Sequence, residues 1–264
     1  MIRVAAVGDL HIGDDGSARW RDALKPVSDD ADLLLLAGDL TRIGATDEAA
    51  AVATALELVS IPMFAVLGNH DYHGGCEREL CRMLAARGVR VLEGTAATLR
   101  VGGKRIGIAG SKGFGGGFAN ACGSDFGEPE MKAFIRHTKE RAEALGSALA
   151  SLETDVRIAL LHYAPVRDTL LGEPPEIFPF LGSYLLAEAV DRSGADLVIH
   201  GHAHRGTEHG VTPGGVNVRN VAQTVIHQAY AIYGFEATAG RREPATAGAQ
   251  GSHDAAPSAP TSEH

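Results

Sequence analysis

The chain has 264 residues, 45% of them hydrophobic and 22% charged, with a formal net charge of −9. That supplies one substantial core or two modest ones, and the acidic balance argues against nucleic acid as a partner. The longest apolar run, Leu33 to Ala37, is strand-sized and far below the roughly 18 residues of a membrane-spanning helix, so no membrane partner is expected.

At the N-terminus, IRVAAV passes into polar GDLH too soon for a secretory h-region, which predicts a cytoplasmic protein. DLLLLAG, the helical TDEAAAVATALELVS, PMFAVLG and the helical CERELCRMLAARG follow, an order that reads as βαβ units. VRVLEG, AATLRVGG and KRIGIAG are closely spaced strand candidates with glycine turns, which predicts antiparallel pairing among them. Ser111 to Phe126 is rich in glycine and aromatics and reads as a long loop beside a site. A helix is expected over Glu128 to Glu153, then the strands VRIALLHYAP and ADLVIHGHAH, separated by a proline-delimited loop and a helix. Short strands TEHGVT, VNVRN and QAYAIYGFE close the folded body, expected to span 1–237. Residues 238–264 lose nearly all large apolar side chains and are expected to be a disordered tail. Three cysteines form neither a CxxC pair nor an even disulfide set. Twelve histidines are the one excess in this composition.

Five short polar motifs stand at the C-terminal ends of apolar runs: GDLH from Gly8, GDL from Gly38, GNHD from Gly68, LHY from Leu161 and GHAH from Gly201. In an open α/β sheet that edge is where ligands bind. Together they bring Asp9, His11, Asp39, Asn69, His162, His202 and His204 to one place. So many polar and charged side chains need a compensating charge, which a metal centre supplies. One catalytic ion takes about three protein ligands and keeps an open position, so this donor set suits two ions sharing a carboxylate. In DxH and HxH, alternate residues of an extended segment face one side. Carboxylate with imidazole, and no thiolate, suits two divalent ions among Mn, Fe, Zn, Co and Ni.

With GDLH, GD, GNHD, a histidine after a later strand and GHAH in this order, the sequence resembles the calcineurin-like metallophosphoesterase family. The resemblance implies an α/β fold, a four-layer αββα sandwich of two mixed β-sheets flanked by helices. It also implies that Asp9, His11, Asp39 and His204 hold one ion and that Asp39, Asn69, His162 and His202 hold the other, Asp39 bridging. His70 then matches the histidine that contacts substrate phosphate and protonates the leaving group. Asp71 matches the acidic position beside it, expected to orient His70 by a hydrogen bond.

Phosphate esters hydrolyse slowly without a catalyst, and a hydroxide bridging two cations supplies both nucleophile and charge neutralisation. The expected activity is hydrolysis of a phosphomonoester or phosphodiester on a small-molecule or nucleotide-like substrate. A non-catalytic scaffold on the same fold and a nuclease of the same family are the alternatives. His200 reads as supporting a ligand rather than being one, and His73 as a loop histidine. Lys112 and Arg205 are cationic candidates for a substrate anion. Trp20, Phe114, Phe118, Phe178 and Phe180 are candidates for a pocket wall or for loop anchors. GSKGFGGG lacks the GK[ST] step of a phosphate loop, and no GxGxxG follows the first strand. Oligomeric state is left open.

Overall fold

The computed structural model describes residues 1–13 and 16–235; the expected boundary at 237 and the tail at 238–264 lie outside them. Strands β1 (Ile2–Val7), β2 (Leu33–Ala37), β3 (Met63–Val66) and β4 (Val89–Val91) run parallel in one sheet. β5 (Thr95–Val101), β6 (Lys104–Ser111), the short hairpin of β7 (Gly117–Phe118) with β8 (Ala121–Cys122), and β9 (Val156–Leu161) follow. β10 (Leu197–His200), β11 (His209–Val211), β12 (Asn217–Asn220) and β13 (Ala231–Phe235) complete the set. The first sheet has the order β13-β1-β2-β3-β4, with β13 antiparallel to β1. The second has the order β11-β12-β10-β9-β6-β5, antiparallel only at its two edges.

The run LLLLA explains why the central strand β2 has no wet face. Successive strand residues point to opposite sides, and here both sides are apolar. Leu33 and Leu35 join Val4, Ala6, Phe64 and Val66 against Ile106, Ile108, Ile158, Leu160 and Ile199 of the other sheet. Leu34 and Leu36 point outward onto Trp20, Leu24, Val52, Leu56, Leu80 and Leu84, which come from the helices Ser17–Leu24, Thr46–Ala55 and Glu77–Ala86 and from the Leu56 turn. The outer face of the second sheet, with Ala159, Leu161 and Val198, packs on Leu145, Leu149, Leu186 and Val190 of helices Pro129–Ala150 and Tyr184–Ser193. The layers are therefore helix, sheet, sheet, helix, as parallel strands buried on both faces require. Among the described residues no helix is long and apolar enough to cross a membrane.

One strand differs from the expectation. VRVLEG does not pair antiparallel with its sequence neighbours: β4 lies parallel to β3, while β5 and β6 form the hairpin of the other sheet. The chain thus changes sheets between Leu92 and Thr95, where Leu92 is buried in the layer between the sheets. Trp20, Phe118 and Phe178 are buried core residues, in keeping with the anchoring reading.

Candidate metal centre

All five motifs sit where parallel strands end, and the adjoining loops are stitched to one another. Asp9 N–H donates to Gly38 O at 2.9 Å, His11 N–H to Asp39 O at 3.0 Å, and Gly201 N–H to His162 O at 3.2 Å. Two motif glycines are steric necessities. A Cβ on Gly68 would strike the Asp39 carboxylate, and one on Gly201 would strike that of Asp9. Six described non-glycine residues have positive φ, and four of them are Asp9 (58°), His11 (44°), Asp39 (49°) and His202 (71°). Left-handed backbone at such residues costs of order 1–3 kcal/mol each and persists only where the surroundings impose it.

Each carboxylate is buried and held by backbone. Asp9 accepts from His202 N–H at 3.1 and 2.9 Å through its two oxygens, and from the His204 ring Nε2 at 2.9 Å. Asp39 Oδ1 accepts from His70 N–H at 2.8 Å and lies 3.4 Å from His162 Nε2, while its Oδ2 lies 3.9 Å from His11 Nε2. Ligand atoms of Asp9, His11, Asp39 and His204 fall within 4.8 Å of one another, and so do those of Asp39, His162 and His202, with Asp39 common to both groups. Asn69 Oδ1 joins the second group, 3.0 Å from His162 Nε2. All seven sequence-predicted donors therefore converge.

The rings are aimed by their far nitrogens. His162 donates from Nδ1 to Ala37 O at 2.9 Å, leaving Nε2 toward Asp39 and Asn69. His202 donates from Nε2 to Phe180 O at 3.3 Å, which leaves Nδ1 as its free donor atom. Such outer partners fix tautomer and ring orientation in metal sites. The donor set fits divalent cations on its own chemistry: two buried carboxylates with the imidazole nitrogens of His11, His162, His202 and His204 and no thiolate.

Without a cation the electrostatics are uneven. Burial pushes His202 down to about 3 and His11 below its ordinary value. Burial would also lower His162, but the Asp39 carboxylate overrides it and holds the ring at about 9. Burial works against ionisation of Asp39 in turn, yet His162 and the His70 N–H keep it well below the carboxylate range. The hydrogen bond to Asp9 raises His204.

His70 lies at the open edge, its side chain 44% exposed, with Nε2 4.0 Å from Asp39 Oδ2 and its ring 4.6 Å from that of His11. The expectation that Asp71 orients it is corrected here. His70 Nδ1 donates to Arg42 O at 2.6 Å, whereas the buried Asp71 carboxylate accepts from Leu40 N, Thr41 N, Thr41 Oγ1 and Gly68 N at 3.2, 2.9, 2.6 and 2.8 Å. Asp71 therefore ties the GDL loop to the GNHD loop, which sets Asp39 relative to His70. Thr41, which the sequence reading does not single out, supplies two of those donors; its place directly after GDL is the available signal. His200 is buried between Gly201 O and Thr169 Oγ1, at 2.7 and 2.8 Å, and burial pushes it down to about 4, so it braces the GHAH turn. Arg205 and His73 are exposed.

The family profile of calcineurin-like phosphoesterases matches residues 2–206. Among solved structures, a phosphopantetheinyl hydrolase from Mycobacterium tuberculosis is similar at 19% identity and a TM-score of 0.62, with 85% of this chain and 90% of that one covered. The protein TT1561 of Thermus thermophilus is similar at 20% identity and a TM-score of 0.54, covering 84% and 89%. GAP50, the anchor in the inner membrane complex of Plasmodium, is similar at 13% identity and a TM-score of 0.53, covering 84% and 72%. These likenesses are of fold. No curated protein matches the sequence.

Proposed function

The chain belongs to the calcineurin-like phosphoesterase family, and from that membership we propose that it hydrolyses a phosphomonoester or phosphodiester bond of a small-molecule substrate with two divalent cations. Asp9, His11, Asp39 and His204 would hold one cation, and Asp39, Asn69, His162 and His202 the other. The observation that carries this reading is the Asp39 carboxylate, common to both donor groups. Bound there, the cations supply charge neutralisation on the phosphoryl oxygens and an activated water at neutral pH.

The chain's own residues supply position and a proton. With Nδ1–H donated to Arg42 O, His70 carries a proton on Nε2 only as the imidazolium, and in that form it would protonate the leaving oxygen, a general-acid role typically worth 10²–10⁴-fold. Asp71 keeps that imidazole in register with Asp39 by bonding both loops. His202 and His162 need no reorientation to bind, because Phe180 O and Ala37 O already hold their other nitrogens.

A scaffold role on the same fold is the rival reading. The filled donor set and the available His70 weigh against it. Metal analysis of the purified chain, with assays on p-nitrophenyl phosphate and its bis ester in Mn²⁺, decides between them. Two equivalents of metal and hydrolysis of at least one ester are expected. No bound metal and no hydrolysis would favour the scaffold.

A further inference from the structure

Lys112 flanks the group formed by His162 and His202, and nothing in the reading above uses it. It follows β6 directly. Its carbonyl accepts from the N–H groups of His162 and Tyr163 at 3.1 and 3.0 Å, and its own N–H donates to Glu93 Oε2 at 3.0 Å. The main chain is thereby fixed to the strand end that carries a candidate ligand.

The side chain enters a cage of aromatic rings. Nζ lies 4.9, 5.1 and 5.5 Å from the ring centroids of Tyr72, Phe114 and Tyr163. Two of the three walls belong to the site loops: Tyr72 stands two residues after His70, and Tyr163 follows His162 with its ring 4.4 Å from that of His202. Among the described residues the ammonium has no hydrogen bond and no ion pair. The Glu93 carboxylate, bonded by the Lys112 main chain, is already taken by Arg141 Nη1 at 3.1 Å, Ser111 Oγ at 3.3 Å and that N–H. Burial pushes the Lys112 ammonium below its ordinary value, and the charges of Glu93 and Asp39 work against that.

Aromatic faces stabilise a cation but accept none of its three N–H donors. A positive group so held, beside the partly exposed Tyr72 ring, keeps its three N–H donors for an anion at the mouth of the site. The cage also removes most of the rotamer freedom that a free lysine would lose on binding. We propose that Lys112 is a substrate-binding residue whose ammonium takes a non-bridging oxygen of the substrate phosphoryl group, giving the site a preference for phosphomonoesters over phosphodiesters. The preference follows from charge: an ionised monoester carries close to two negative charges at neutral pH and a diester one, so an added protein cation stabilises the monoester more.

This proposal rests on the phosphoesterase reading, and the test separates the two. In the Mn²⁺-loaded full chain, Lys112→Met should weaken calorimetric binding of inorganic phosphate by about 10- to 100-fold, the range for a charge-assisted hydrogen bond. kcat/KM for p-nitrophenyl phosphate should fall by a similar factor, mainly through KM, and that for the bis ester by about threefold or less. Lys112→Arg should restore most of both losses, and Lys112→Gln repeats the test if the methionine variant folds poorly. Unchanged phosphate affinity, or equal losses on monoester and diester, would overturn the role. If the wild-type chain hydrolyses neither ester, the phosphoesterase reading fails, and the phosphate titration alone then decides Lys112.

Discussion

The two donor groups share Asp39 and differ in nearly everything else. Around Asp9 the histidines are reachable: the side chains of His11 and His204 are 24% and 39% exposed, and their Nε2 atoms face each other and the carboxylates. Around His162 the ring is wholly buried, with Ala37 O on one nitrogen and Asn69 and Asp39 beside the other. The first group is an open rim whose side chains a cation would draw together. The second is preformed, and it must release the His162 proton, retained to about pH 9 by Asp39, before that nitrogen can serve as a ligand. Access and preorganisation are thus divided between two halves of one site, with the proposed general acid, His70, on the open half.

The most severe way to break this division is to remove what joins its halves. Asp39→Asn should lower kcat/KM on the order of 10³-fold, since it withdraws charge from both ions at once. Metal analysis should show both positions depleted; depletion of only one would mean that Asp39 is not shared. His70→Ala acts on the open half alone. It should leave metal content intact and lower kcat by about 10²-fold or more on esters with poor leaving groups, with the deficit shrinking as the leaving group improves. Unchanged turnover on poor leaving groups would remove His70 from the chemistry. The smallest effect separates the halves by stability of the metal-free chain. His162→Ala should cost about 2–3 kcal/mol, because it opens a buried cavity and strands Ala37 O. His204→Ala, at the exposed rim, should cost about 1 kcal/mol or less. Denaturant unfolding with the metal removed measures both, and equal costs would dissolve the distinction between open and preformed groups.

The strand ends are legible because two simple signals coincide there: an apolar run stops and a carboxylate or imidazole begins. The identity and order of those polar residues carry the family, and the double-sided burial of LLLLA is consistent with sheets covered on both faces. Partner choice is not legible. VRV pairs with β3 and not with its hairpin neighbours because Leu92 is buried between the sheets, a preference that no local propensity encodes. Asp71 goes to an unexpected partner for a related reason. Its neighbour in sequence is His70, but three of its four donors are backbone N–H groups, two of them about 30 residues away, and backbone donors leave no trace in residue identity. Lys112 is visible as a cation in a glycine-rich loop. Its cage is not, since Tyr72, Phe114 and Tyr163 come from three separate segments.

The left-handed backbone at Asp9, His11, Asp39 and His202 has a consequence for how such a chain can change over time. These positions are where foldability and chemistry pull apart, because glycine would relax each of them while deleting a donor. At Asp9 and Asp39 that relief would be set against the backbone N–H groups of His202 and His70, which the carboxylates now accept, so the strained backbone and the candidate donor set stand or fall together.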